Sequence, residues 1–283
     1  MRVLDTIAAV RAARRAFPRL GLVPTMGFLH AGHMSLVERA RTDCGAAAVS
    51  IFVNPTQFAA GEDLSRYPRD LPRDLRLLED AGVDLVFAPE PDEIYPAGYA
   101  SRIEVGPVAE PLEGAHRPGH FAGVATVVAK LFNIVAPTRA YFGQKDAQQV
   151  AVIRRMARDL DMPLDVVVGP TVREPDGLAL SSRNVYLSEE GRAAAPVLYR
   201  ALDHARQRFD GGERDAEALR RAMLAVLAEE PVVEVDYVSV ADRDSLREVD
   251  RAEAGALASL AARIGRTRLI DNVVLGEDGP ARV

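Results

Sequence analysis

Gly21-Leu22-Val23-Pro24-Thr25-Met26-Gly27-Phe28-Leu29-His30-Ala31-Gly32-His33 passes from a short apolar run into a helical pattern. Beyond it, His33, Leu36, Val37 and Ala40 recur at helical spacing. A buried strand that turns directly into a helix is the building unit of a parallel α/β sheet. Gly27 and Gly32 let the backbone approach a ligand closely. The first helical turn leaves N–H groups without partners and carries partial positive charge, so an anion is favoured there. His30 and His33, three residues apart, share a helix face and can both donate to phosphate oxygens. By itself the pair leaves a buried structural role or metal binding open.

On either side of this stretch, apolar runs at 22–23, 47–53, 84–88, 139–143 and 164–169 alternate with helical patterns at 71–81, 123–134 and 147–160. That rhythm predicts a doubly wound, Rossmann-like parallel sheet. Residues 1–16 carry an Arg-rich amphipathic helix pattern ahead of it. After Thr171 the pattern changes. Helices over 189–209 and 215–229 precede strands over 233–240 and 268–274, the signature of a smaller α+β domain. The Gly169-Pro170 pair punctuates the change, giving domains of 1–171 and 172–283. No internal repeat is visible.

The 283 residues are 48% hydrophobic, ordinary for a globular chain, with a net charge of −6. That balance disfavours a broad nucleic-acid footprint while allowing a local site for a small anion. Cys44 is the one cysteine, which excludes an internal disulfide and argues against a thiolate zinc site. No apolar run has bilayer length and the N-terminal residues lack a secretory apolar core, so no membrane association is expected. Given the single cysteine, a reducing, cytoplasmic setting is the simplest expectation.

Four further segments place polar residues at predicted strand ends, where open α/β sheets bind ligands. Ser50-Ile51-Phe52-Val53-Asn54-Pro55-Thr56-Gln57 runs into two amides that can recognise hydroxyl, carboxylate or amine groups; turn chemistry ahead of Pro55 is the alternative for Asn54. Arg117-Pro118-Gly119-His120-Phe121 is a loop whose arginine is either functional or solvated. In Gly143-Gln144-Lys145-Asp146-Ala147-Gln148-Gln149, Lys145 stands at the positive end of a helix, which an anion would justify. Asp146 there can take ribose hydroxyls or cap the helix, and Gln149 lies one turn further. Leu180-Ser181-Ser182-Arg183-Asn184 makes a compact oxyanion binder or a helix-capping turn.

Together PTMGFLHAGHMSLV, SIFVNPTQF, RYPRDL, RPGHFAGV, YFGQKDAQQV and LSSRNVYLS closely resemble the pantothenate synthetase (pantoate–β-alanine ligase) family, in the family's order. HAGH is similar to the HIGH signature of nucleotidylyltransferases, and LSSRN stands where those enzymes carry a KMSKS-type loop. Phe28 and Leu180 depart from the family's usual residues, which bears on pocket shape and leaves the chemistry alone.

The resemblance implies that pantoate attacks the α-phosphate of ATP, releasing pyrophosphate, and that β-alanine then displaces AMP from the pantoyl adenylate. It implies ATP as substrate, Mg²⁺ as cofactor and a homodimer formed by the catalytic domains, for which the strand after Ala46 and its flanks are the expected contact. His30, His33, Lys145 and Arg183 would be catalytic. With Ser181 and Ser182 they would bind the triphosphate; Gly143 and Asp146 would hold the ribose, and Val172 and Leu180 the adenine. Met26, Gln57 and Gln149 would hold pantoate, Met26 also lying against the nucleotide, while Asn54 and Gln57 would orient β-alanine. Asp74 would be a magnesium-linked carboxylate. The RPGH loop and the second domain would act as a lid that keeps water from the adenylate. A nucleotidylyltransferase with a phosphorylated acceptor, or a nucleotide-sensing or RNA-binding module, would share the HxGH pocket. The neutral amides argue against the first and the acidic charge against the second.

Overall fold

The computed structural model describes residues 1–59 and 62–277. They form two compact units, 1–143 with 152–169 and 144–151 with 170–277. The elements of the first run β1 (Arg2–Leu4), α1 (Ile7–Arg14), β2 (Gly21–Thr25), α2 (Ala31–Cys44), β3 (Ala47–Ile51), α3 (Leu71–Asp80), β4 (Leu85–Phe87), α4 (Pro91–Ile94), α5 (Glu113–His116), α6 (His120–Val135), β5 (Arg139–Gly143), α7 (Ala147–Asp159) and β6 (Asp165–Gly169). The division falls within α7, so Lys145, Asp146 and Gln149 belong with the second unit.

The sheet has six strands in the order β1-β4-β3-β2-β5-β6, and every neighbouring pair is parallel. Its central strands are apolar because helices cover both faces; Val23, Val49, Val86 and Tyr141 pack with Leu36, Val37 and Ala40 of α2. A Cβ on Gly21 would lie 2.8 Å from Ala40 Cβ and 2.9 Å from the Tyr141 ring, so α2 approaches the sheet at a distance only glycine permits. β2 is flanked by β3 on one side and β5 on the other, and the chain winds outward both ways. The topological switch point therefore lies at the carboxyl ends of β2 and β5.

One expectation for this unit changes. Residues 1–16 are not one helix: Arg2–Leu4 forms edge strand β1, and the Thr6 side chain caps α1 by accepting from Ala9 N. A three-residue strand is too short to show a period. The strand after Ala46 is interior, paired to β2 and β4 and buried over 47–50.

In the second unit α8 (Glu189–Ala194), α9 (Val197–Asp210) and α10 (Ala216–Leu227) accompany an antiparallel sheet of β7 (Val233–Ala241), β8 (Leu257–Ile264) and β9 (Thr267–Val274). Leu198, Leu202, Leu219 and Met223 share a core with Leu260 and Leu269. The expected single helix over 189–209 is interrupted at Pro196, whose missing N–H ends one helix and starts the next; Ala195 caps the end of α8 and Pro196 opens α9. β8 was not expected. Leu257-Ala258-Ser259-Leu260-Ala261-Ala262 is buried on both faces and shows no alternation, as the central strand of its sheet.

Candidate functional site

In the first unit the site is built on the turn between β2 and α2. The Thr25 hydroxyl donates to Ser50 O at 2.7 Å and accepts from Gly27 N at 3.2 Å, fixing the exit of β2. Gly27 and Phe28 both lie in the left-handed region, with φ of 82° and 52°, which strains a bulky residue such as phenylalanine. Asp74 stabilises the turn: its carboxylate accepts from Phe28 N at 2.7 Å and Leu29 N at 2.8 Å. The Arg73 guanidinium sits over the Phe28 ring at 5.4 Å. Burial pushes the Asp74 carboxyl above its ordinary value, against those two amide bonds and Arg73. The expected magnesium role does not suit this residue, which is 1% exposed and turned to the backbone on both oxygens.

The turn delivers His30 to the N-cap of α2 and His33 to its first turn. Their rings are 4.0 Å apart. His33 Nδ1 accepts from His30 N at 3.3 Å, which leaves Nε2 to carry the ring proton as a donor.

Met26, Asn54 and Gln57 are brought together beside this turn. Gln57 Nε2 donates to Met26 Sδ at 3.4 Å, and Asn54 Nδ2 donates to Gln57 Oε1 at 3.0 Å. The rest of the Asn54 amide is also engaged: Nδ2 donates to Gly123 O, and Oδ1 accepts from the Tyr95 and Thr56 hydroxyls at 2.8 and 2.9 Å. Asn54 is 1% exposed. Its expected contact with β-alanine therefore has no hydrogen-bonding capacity behind it, and its observed work is to orient Gln57.

The RPGH loop closes this network from the other side. Arg117 grips Glu62 through Nε at 2.8 Å and Nη2 at 2.6 Å. Burial raises the Glu62 carboxyl, but the groups around it, Arg117 foremost, leave it below its ordinary value. His120 Nδ1 lies 2.8 Å from Gln57 O and Nε2 lies 3.0 Å from Arg117 Nη1. A carbonyl only accepts and a guanidinium only donates, so the ring is neutral with its proton on Nδ1. Burial first, then the Arg117 charge, pull its pKa down to about 4.

In the second unit, Lys145 and Asp146 occupy a 3-10 turn over Gln144–Asp146 at the start of α7. Lys145 Nζ lies 3.5 Å from Asp146 Oδ1. Gln149 is half-buried one turn on, and Gly143 ends β5 in the first unit. Leu180 N donates to Val172 O at 3.0 Å, closing a hairpin. Ser181 caps the 3-10 turn Ser182–Tyr186 by accepting from Arg183 N at 3.2 Å; Ser182 is buried. Both 3-10 turns lie against β9. Arg173, 1% exposed, fixes the hairpin through Asp271 at 2.5 and 2.9 Å and stacks 4.0 Å above the Tyr199 ring.

The pantoate-beta-alanine ligase family model matches residues 2–274. The chain belongs to the pantoate–β-alanine ligase family. It is 62% identical over 276 residues to a pantothenate synthetase of Herpetosiphon aurantiacus, covering 97% of this chain and 100% of that one. The crystal structure of a Thermus thermophilus pantothenate synthetase superimposes with a TM-score of 0.94 at 53% identity, covering 97% and 99% of the two chains. A Francisella tularensis pantoate-beta-alanine ligase, complexed with beta-gamma ATP and beta-alanine, matches with a TM-score of 0.81 at 35% identity over 99% and 100%.

Three residues of this ligase escape a reading of its sequence. Tyr95 holds Asn54 from a loop with no period, Glu62 holds Arg117, and Asn272 holds the Lys145 turn from β9. The arginine of the RPGH loop, read as either functional or solvated, is the one signal from which an acidic partner such as Glu62 could have been sought. Among the described residues no group of three or more His, Cys, Asp or Glu is arranged to hold a metal ion, and no helix is long and apolar enough to cross a membrane.

Proposed function

We propose that this ligase joins pantoate to β-alanine through a pantoyl adenylate, with the roles divided between its two units. A carboxylate oxygen of pantoate attacks the α-phosphorus of ATP, and the bond to pyrophosphate breaks. The β-alanine nitrogen then attacks the acyl carbon, the bond to AMP breaks, and the nitrogen loses a proton to solvent. The observation that carries this reading is Gln57, whose neutral amide is held by Asn54 and tied through Met26 to the turn that carries the histidines, and whose main-chain carbonyl is held by His120.

His30 and His33 donate to phosphate at an anion-favouring helix start. Lys145, Ser181, Ser182 and Arg183 neutralise and orient the triphosphate, Gly143 and Asp146 meet the ribose, and the backbone of Val172 and Leu180 meets the adenine. Gln57 and Gln149 hold pantoate under Met26, and Gln57 faces the incoming amine. Such positioning and charge neutralisation are what phosphoryl transfer requires. A phosphorylated acceptor would need cations around Gln57. Its side chain meets an amide and a thioether instead, and nearby Arg117 is already neutralised by Glu62.

The described residues do not fit a resident Mg²⁺, since Asp74 is committed to backbone amides; the ion is expected to arrive on the ATP phosphates, and no step here runs through it. The RPGH loop and the second unit serve as the lid. A homodimer in the cytoplasm completes the reading, its contact at the flanks of interior strand β3, and the lone buried Cys44 suits a reducing compartment. Replacing His30 or Lys145 by alanine should lower turnover by about 10² to 10³, the cost of losing one preorganised donor, with circular dichroism unchanged. Retained turnover in either variant contradicts the phosphate role of that residue.

A further inference from the structure

We propose that Asn272 is the positioning residue for Lys145. Asn272 sits on β9 with 4% of its surface exposed. Its one amide makes three bonds to the turn that carries the lysine: Nδ2 donates to Gln144 O at 3.0 Å and to Lys145 O at 2.8 Å, and Oδ1 accepts from Gln144 Nε2 at 2.9 Å. Two donors on consecutive carbonyls fix both the position and the rotation of that turn, and so the direction in which the Lys145 stem leaves the backbone. The clamp is itself held. Asn272 N donates to Asp271 Oδ1 at 2.8 Å, and Asn272 O accepts from Arg173 Nη2 at 3.3 Å. Arg173 is paired with Asp271. Lysine is a point charge on a flexible four-carbon stem, so it gains direction only where its backbone is rigid.

The inference rests on the phosphate role proposed for Lys145, and a double-mutant cycle separates the two. Asn272→Asp keeps the volume and one oxygen but removes both donors. It should slow pantoate-dependent exchange between pyrophosphate and ATP by up to about 100-fold, the cost of a misplacement near 1 Å. The KM for β-alanine should stay unchanged. Combined with Lys145→Ala, it should add no further loss, because the two act as one unit. Gln144→Ala removes the third bond from a half-buried position and should give a smaller loss that also vanishes in the Lys145→Ala background. It carries the same test if Asn272→Asp fails to fold. Losses that add, or a lowered thermal midpoint with exchange unchanged, overturn the inference alone and leave Asn272 a structural residue. Unchanged exchange in Lys145→Ala overturns the phosphate role and the inference with it.

Discussion

Gly123→Ala sets two effects of known size against each other. Glycine inside α6 is unfavourable, and alanine there should stabilise an exposed helix by about 0.8–1 kcal/mol. Gly123, however, faces the turn that carries Gln57. A Cβ at this position would stand 2.4 Å from Thr56 O, 2.6 Å from Thr56 C and 2.8 Å from Gln57 Cα, all backbone atoms that cannot swing aside. Relief to an ordinary contact near 3.4 Å moves the turn or the helix by roughly 1 Å. Overpacking of this kind costs about 1–3 kcal/mol, and the Asn54 bond to Gly123 O, worth about 0.5–1.5 kcal/mol, is strained as well. The clash wins, with a net loss of roughly 1–3 kcal/mol, or about 2–4 °C in thermal midpoint per kcal/mol. Displacing Gln57 should also lower kcat/KM for pantoate by about 10²-fold, while ATP binding measured by calorimetry changes little. A variant at least as stable as the parent, with parental kinetics, would refute the close approach of α6 to the Gln57 turn.

Three other outcomes can be checked separately. His120 has a folded pKa of about 4 against an ordinary 6.5, so the unfolded chain binds more protons between those values; stability is full above pH 6.5 and falls as the pH drops toward 4, by up to about 3 kcal/mol. Denaturant unfolding should show a shallower acid slope in His120→Gln, and an identical slope would contradict the neutral ring. Asn54→Asp loses both donors while keeping its volume; if Asn54 works through Gln57, single-turnover rates of adenylate formation and of amide formation should both fall, whereas a loss confined to amide formation would restore a direct β-alanine contact. Arg173→Met leaves Asp271 buried without its partner and should destabilise by about 3–5 kcal/mol, and an unchanged denaturation midpoint would show that the pair is not a closed ion pair.

The parallel sheet was legible because its central strands, buried on both faces, read as apolar runs separated by helical periods, and the histidine turn because glycines and histidines break such a run at its end. β1 and β8 were not, for opposite reasons: Arg2–Leu4 is too short to carry a period, and the alanine-rich β8 is buried on both faces and so has no alternation. Most of the residues read as site candidates lie on the turns expected of them. Asn54 and Asp74 differ because a sequence shows that a polar side chain is present but not whether its bonds are satisfied within the protein. The groups that engage them, such as Gly123 O and the amides of Phe28 and Leu29, belong to backbone brought near only by folding. Asn272 was invisible for the same reason, its partners Gln144 and Lys145 being 128 and 127 residues away along the chain.

Isotope exchange between pyrophosphate and ATP, in the presence of Mg²⁺ and with β-alanine left out, decides whether a pantoyl adenylate precedes the amide. An acyl adenylate formed before the amine reacts requires that exchange depend on pantoate and proceed without β-alanine. Gln57→Ala should suppress it through lost orientation of the attacking carboxylate, with ATP binding nearly unchanged. Exchange that requires β-alanine would replace the two steps with a concerted reaction, and exchange indifferent to pantoate would remove pantoate as the adenylated acid.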